Sequence, residues 1–298
     1  MKAFYIEKDI YINPVDTENI DYVFSPRYGY LKLNKNKKIR GGEAFLFGTY
    51  NNLFLKLYHA SHLSYTNLKK LQAMLEIDIR NPFILWPKDL IFYENNFVGY
   101  VMDELKDCRS IDELRDENFA SFKTLDRFVI VKNFLKNIAY LHKKNILVGD
   151  MKLDNILVKQ NKEVYIIDTG SFQVEDYPCA VYHRDYTERK LTEEELKQSL
   201  RELKDEFYPI NKIIFEILML KTPYYNKDNI EIDAEGSREF HYPMNADEAG
   251  KNPPLHIKIW LSLSPAMRGF FKDYYKDGKI TPLNVWIEEL ERFIGEKQ

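Results

Sequence analysis

The residues of this chain best suited to chemistry lie close together in one polar-edged stretch. Within His142 to Phe172, HKKNILVGDMKLDNILVKQNKEVYIIDTGSF, residues Asp150, Lys152 and Asn155 fall in the spacing D-x-K-x-x-N, and Asp168 opens DTG a short distance on. A carboxylate that accepts a proton, an ammonium directed at phosphate, a neutral metal ligand and a second carboxylate ligand are the parts that phosphoryl transfer from a nucleotide requires. Two short apolar runs, Ile156 to Val158 and Val164 to Ile167, flank a polar turn, which predicts a hairpin with its acids at one end. Two such acids repel unless cations neutralise them, and this separates Asp150 and Asp168 from ordinary turn or cap residues.

Elements that could position these groups are legible on both sides. Residues 1–29 mix short aromatic runs with Asn13, Pro14, Ser25, Pro26 and Gly29, which predicts an irregular lead-in with one strand around Phe4 to Ile6. Strand patterning follows over Tyr30 to Leu33, Ala44 to Tyr50 and Leu53 to Tyr58, with Asn51-Asn52 as a compact turn. Between the first two strands, Gly41 and Gly42 would let backbone amides approach a phosphate, although a plain hairpin turn explains a glycine pair equally well. Lys56 interrupts the apolar strand FLKLY, either as a gatekeeper on an edge or as a functional ammonium facing a cleft. A helix is expected over Ser64 to Leu75, then strands over Leu90 to Tyr93 and Phe97 to Met102.

Beyond a charged connection that starts near Asp103 to Leu105, helical spacing dominates. Phe122 to Lys143 is amphipathic and leads straight into the polar stretch. Thr192 with Glu195 reads as a capping box for a helix over 192–204. Glu206 to Leu220 leaves so little polar surface that it predicts a helix buried on most sides, with Pro209 tolerated in its first turn. Lys221 to Pro254 reads as loops, and Ile257 to Lys276 and Pro282 to Phe293 restore helical patterning with aromatic residues directed at a core.

Composition narrows the field of partners. Across 298 residues, 43 basic and 46 acidic side chains give a net charge of -3, so no global basic field argues for nucleic acid. A hydrophobic share of 45% supports a packed core in one large domain or two lobes. No apolar run approaches the roughly 18 residues of a membrane span, and Cys108 and Cys179 form no zinc-like pattern, which together predict a cytoplasmic protein without a membrane partner.

Taken in order, the glycine turn, strand lysine, helix, strands, connection, helix, DxKxxN, strand pair, DTG and a buried helix ending in KTPYY resemble the bilobal protein kinases. GGEA, FLKLYH, FVGYVM, LVGDMKLDNILV and IIDTGSFQ look like a bacterial subgroup of eukaryotic-like Ser/Thr kinases in which GD replaces HRD. The resemblance implies an α+β fold, with an antiparallel-sheet N-lobe over 30–104 and a mainly helical C-lobe over 105–298, and ATP and magnesium as cofactors. By position it assigns Asp150 as catalytic base, Lys152 as a stabiliser of the transferred phosphoryl group, and Asn155 and Asp168 as metal ligands. Lys56, Gly41 and Gly42 would meet the phosphates. Met102, Asp103 and Leu105 would form the gatekeeper and hinge, and Leu157 and Ile167 the surfaces beside adenine.

Departures from that pattern bear on regulation. Val148-Gly149 stands where His-Arg is usual, so no arginine beside Asp150 receives an activation-loop phosphate. No glutamate lies between His62 and Leu75, which leaves Glu76 or Glu43 as the acidic partner of Lys56, or none. Phe54 shares a strand face with Lys56. Lys190 and Ile280 or Thr281 fall where a buried Glu–Arg bridge is usual, and Glu206 where the buried helix has aspartate. The expected function is therefore an ATP- and Mg-dependent Ser/Thr protein kinase not switched by loop phosphorylation, acting on a protein substrate. A partner-binding pseudokinase and a small-molecule kinase of aminoglycoside or choline phosphotransferase type are the alternatives.

Overall fold

The computed structural model describes residues 10–187, 192, 194–195, 199–224, 240–245 and 256–298. Contacts divide the chain into two compact units between Lys106 and Asp107.

Alternating apolar residues build the first unit. Its strands are β1 (Tyr22–Ser25), β2 (Gly29–Arg40), β3 (Ala44–Thr49), β4 (Leu53–Tyr58), β5 (Asp89–Tyr93) and β6 (Asn96–Asp103). They pair antiparallel in the order β1-β2-β3-β4-β6-β5, and β1 closes the ring by pairing Phe24 with Phe92 of β5. Val23, Leu31, Leu33, Phe47, Leu55, Leu57, Ile91 and Val101 fill the interior. The helix α1 (Tyr65–Glu76) begins where the Ser64 side chain accepts the Asn67 N–H at 3.1 Å.

The irregular lead-in expected over 1–29 is corrected at its C-terminal end, within the described residues 10–29. Residues Tyr22–Ser25 are a paired strand, and Val15 and Ile20 ahead of it belong to the core. The alternation of Tyr22, Val23, Phe24 and Ser25 is too short to announce itself, and the strand is fixed by pairing on both edges. The strand expected over Phe4 to Ile6 lies outside the described residues.

The second unit is mainly helical. It contains β7 (Cys108–Ser110), α2 (Ile111–Asp116), α3 (Thr124–His142), β8 (Ile156–Lys159), β9 (Val164–Ile166), α4 (Phe207–Met219), α5 (Ile257–Ser262), α6 (Pro265–Asp277) and α7 (Leu283–Lys297). Every residue of α4 is buried, including Lys212 and Glu216. Phe215 of α4 sits among the rings of Phe240, Tyr242, Trp260 and Phe271, with centroids 5.1–6.2 Å away.

Two helix expectations change. The capping box at Thr192 forms, with the Thr192 N–H donating to Glu195 at 2.9 Å, but residues 200–202 are not helical, so no helix runs through to 204. The apolar pair Leu200 and Leu203 is exposed and buries nothing that would sustain a helix there. Ile257 to Lys276 is two helices, because Pro265 cannot donate an N–H to continue α5, and Ser264 caps α6 by accepting the Met267 N–H at 3.1 Å.

Candidate active site

In the first unit, Lys56 stands on β4 with its side chain on the face opposite Leu55 and Leu57, which point into the core. Phe54 occupies the same face as Lys56 and is half-buried. The Lys56 ammonium is 3.9 Å from the Glu43 carboxylate, which projects from the turn between β2 and β3. Glu76 stands elsewhere, at the end of α1, lining a cavity of about 630 Å³ with Arg27, Asp78 and Arg80. In the turn itself, Gly41 donates its N–H to the Ala44 carbonyl at 2.9 Å, and His59 Nε2 meets the Gly41 carbonyl at 2.9 Å. Gly42 borders open space.

Gly99 explains how β6 lies so close to this lysine. Its φ is 155°, and a Cβ there would collide with the Lys56 carbonyl. Met102 is buried on β6 opposite Phe54, Asp103 is exposed and pairs with Lys88 at 2.5 Å, and Leu105 is half-buried just after the strand.

In the second unit the polar stretch folds into a hairpin whose open end holds the acids. Ile156 pairs with Ile166 and Val158 with Val164, and Ile167 donates its N–H to the Asn155 carbonyl at 3.0 Å. That bond fixes Asn155 and Asp168 at the same end of the hairpin. Leu157 and Ile167 are half-buried, between fully buried neighbours Ile156, Val158 and Ile166. Asp168 adopts a left-handed conformation with φ 58°, and the Ser171 hydroxyl donates to its carbonyl at 2.8 Å.

Asp150 is buried and surrounded by donors. The Lys152 ammonium is 3.2 Å from its Oδ2. The Asn155 amide nitrogen donates to the Asp150 carbonyl at 3.0 Å and reaches its Oδ2 at 3.4 Å, which leaves the Asn155 amide oxygen available as an acceptor.

Behind Asp150, the buried Glu206 accepts the Gly149 N–H at 2.7 Å with one oxygen and meets His142 Nε2 at 2.8 Å with the other. Sequence reading singled out Glu206 by alignment but gave His142 no part. Their separation of 64 positions carries no local pattern that could reveal the pair. Lys190 lies outside the described residues. Ile280 borders a cavity of about 280 Å³ together with Gly149, Thr187, Arg201 and Glu206.

A closed antiparallel sheet unit precedes in sequence a mainly helical unit that carries the Asp150, Lys152 and Asn155 cluster at the mouth of a hairpin. The model of the protein kinase domain family matches residues 63–278, more than half of the chain, and the chain belongs to that family. Lys56 and the glycine turn fall before the matched segment. Among curated proteins, the chain is similar to serine/threonine-protein kinase STY46 of Arabidopsis thaliana, at 22% identity over 63% of this chain and 34% of that one. It is also similar to serine/threonine-protein kinase 1 of Heliothis zea nuclear polyhedrosis virus, 25% identical over 35% of this chain and 38% of the viral protein. A third relative, calcium-dependent protein kinase 4 of Plasmodium falciparum, is 35% identical over 26% of this chain and 15% of its own length. The chain therefore spans well under half the length of each of these relatives. No helix among the described residues is long and apolar enough to cross a membrane.

Proposed function

We propose that this chain is a Ser/Thr protein kinase that transfers the γ-phosphoryl group of ATP to a protein hydroxyl. The observation that carries the reading is the cluster around Asp150, with Lys152 at 3.2 Å and Asn155 bonded to its backbone at 3.0 Å. In this reading the Asp150 carboxylate takes the proton from the attacking hydroxyl, and Lys152 steadies charge on the phosphoryl oxygens. Lys56 would bind nucleotide phosphates beside Gly41 and Gly42. Met102, Asp103 and Leu105 are the candidate gatekeeper and hinge, and Leu157 and Ile167 the candidate floor and wall beneath the adenine ring.

The amide oxygen of Asn155 and the carboxylate of Asp168 are hard oxygen donors at one end of the hairpin, a donor set that fits magnesium. Magnesium, when bound, would neutralise charge on the phosphate oxygens. Control by loop phosphorylation is not expected. Gly149 replaces the arginine that would read a phosphate, and the hydroxyl-bearing Thr169 and Ser171 are buried. The same Val148-Gly149 pair supports placement with the bacterial subgroup of eukaryotic-like kinases.

A second reading, a partner-binding pseudokinase, is favoured by a specific observation: Glu43 stands 3.9 Å from Lys56, where phosphates would have to displace it. Incubating the chain with labelled ATP and magnesium, with and without a mixed protein extract, separates these readings. Mg-dependent protein labelling that falls by at least about 100-fold in both Asp150→Ala and Asp168→Ala is the expected result. Label transferred to small molecules points to an aminoglycoside- or choline-type kinase. No labelling at all, or labelling undiminished in the variants, overturns the assignment.

A further inference from the structure

The peptide that leads into Asp150 is bent into a tight turn. Asp150 donates its N–H to the Val148 carbonyl at 2.9 Å, with Gly149 between them at φ 72°, the geometry of a three-residue γ-turn that is strained for any side chain. Space enforces the same choice, since a Cβ at Gly149 would lie 2.5 Å from the Cβ of Cys179. A strained turn persists only where its surroundings hold it.

Both polar groups of Gly149 are gripped from one short segment ahead of α4. Glu206 accepts the Gly149 N–H at 2.7 Å. Arg201 donates to the Gly149 carbonyl through one guanidinium nitrogen and to the Val181 carbonyl through the other at 2.8 Å. The backbone of Arg201 is fixed in turn, its N–H donating to the Gln173 side chain at 2.7 Å and its carbonyl accepting from the same amide at 2.9 Å. Gln173 exchanges backbone hydrogen bonds with Leu147, at 2.8 and 3.2 Å, so the loop before Asp150 and the segment after Asp168 are tied at Leu147–Gln173 and again at Gly149–Arg201–Val181.

We propose that Arg201 is a positioning residue for the Asp150 carboxylate. Its guanidinium spans two carbonyls and holds the γ-turn and the segment around Val181 in the arrangement that a phosphate-bound arginine would otherwise have to impose. An arginine fork suits this task because it presents two parallel N–H donors in a rigid plane. The position assigned to catalysis therefore comes pre-set by carbonyl contacts, with no phosphate in the circuit. This inference rests on the kinase reading above for its catalytic consequence, but the clamp itself is a property of the fold.

The test uses the full chain with Arg201→Ala and Arg201→Lys, and reads hydrogen exchange as well as turnover. Amides of residues 147–150 and 173–181 should exchange faster in both variants, with the rest of 107–298 unchanged. The kcat for protein phosphorylation should fall by about 10- to 100-fold with the KM for ATP within about twofold, as expected for a misplaced reactive group. Guanidinium ion at low, non-denaturing concentration should restore part of the kcat of Arg201→Ala and leave the wild type unaffected. Unchanged exchange at those segments overturns the clamp, and so does faster exchange spread across the whole unit, which would mark Arg201 as general fold support. An Arg201→Lys variant with wild-type exchange and kcat would show that charge alone suffices and would overturn the role of the fork. A wild type inactive toward all protein substrates would count against the kinase reading alone, because the exchange measurement still decides whether the clamp exists.

Discussion

A single hydroxyl shows how tightly the interior of the second unit is wired. The Tyr186 phenol donates to Glu216 at 2.8 Å, while Lys212 and Arg115 stand 3.9 and 3.7 Å from the same carboxylate. Burial, then the charge of Glu216, pushes the Tyr186 phenol far above its ordinary range. The folded protein therefore holds this proton more tightly than the unfolded chain does. Its contribution to stability is complete below the unfolded phenol value of about 10 and is lost as pH rises beyond it, by about 1.4 kcal/mol per pH unit. Replacing Tyr186 with Phe leaves Glu216 short of a donor and should cost about 1–3 kcal/mol near neutral pH. The same variant should lose stability less steeply above pH 10. Urea denaturation at a series of pH values checks both, and parallel alkaline slopes for the two proteins would contradict the account.

Among the elements, β1 is a four-residue strand paired on both edges. It turns an open sheet into a ring, and its attachment to β5 is polar as well as apolar: the Ser25 hydroxyl donates to the buried Asp89 carboxylate, which also accepts the Arg27 N–H at 2.8 Å. Removing one donor strands part of a buried charge, so Ser25→Ala should destabilise the first unit by about 1–3 kcal/mol. Exchange of the Phe24 and Phe92 amides should rise with it, and unchanged protection there would show that the ring closes without this contact. The sequence concealed β1 because its pattern is short and its partners, β2 and β5, are chosen by tertiary pairing. By contrast, β8 and β9 were legible, since their apolar runs, their turn and the acids at their ends all sit within one local stretch. The same distinction separates the site residues. Asp150, Lys152 and Asn155 announce themselves through spacing, whereas Arg201 reaches Gly149 across 52 positions and leaves no periodic trace.

At the scale of the whole chain, the division between Lys106 and Asp107 separates two sets of core residues. The sheet unit is organised on Val23, Phe47, Leu55 and their neighbours, and the helical unit on α3, α4 and the aromatic cluster about Phe215. The mixed α+β order was readable from the change in hydrophobic period, from two in the strands to near 3.6 in the helices. The break at Pro265 was missed because apolar spacing continues through it, and a cap on Ser264 outweighs that continuity. Each unit with its own core can lose it separately, so unfolding need not be a single step. Val23 is almost fully buried in the first unit and Leu290 fully buried in the second. Truncating them should cost about 1–3 kcal/mol for Val23→Ala and about 2–5 kcal/mol for Leu290→Ala. Differential scanning calorimetry should then show each substitution lowering a different transition, the first leaving the helical unit's midpoint in place and the second leaving the sheet unit's. A common shift of one sharp transition by either variant would mean instead that the two cores melt as one cooperative body.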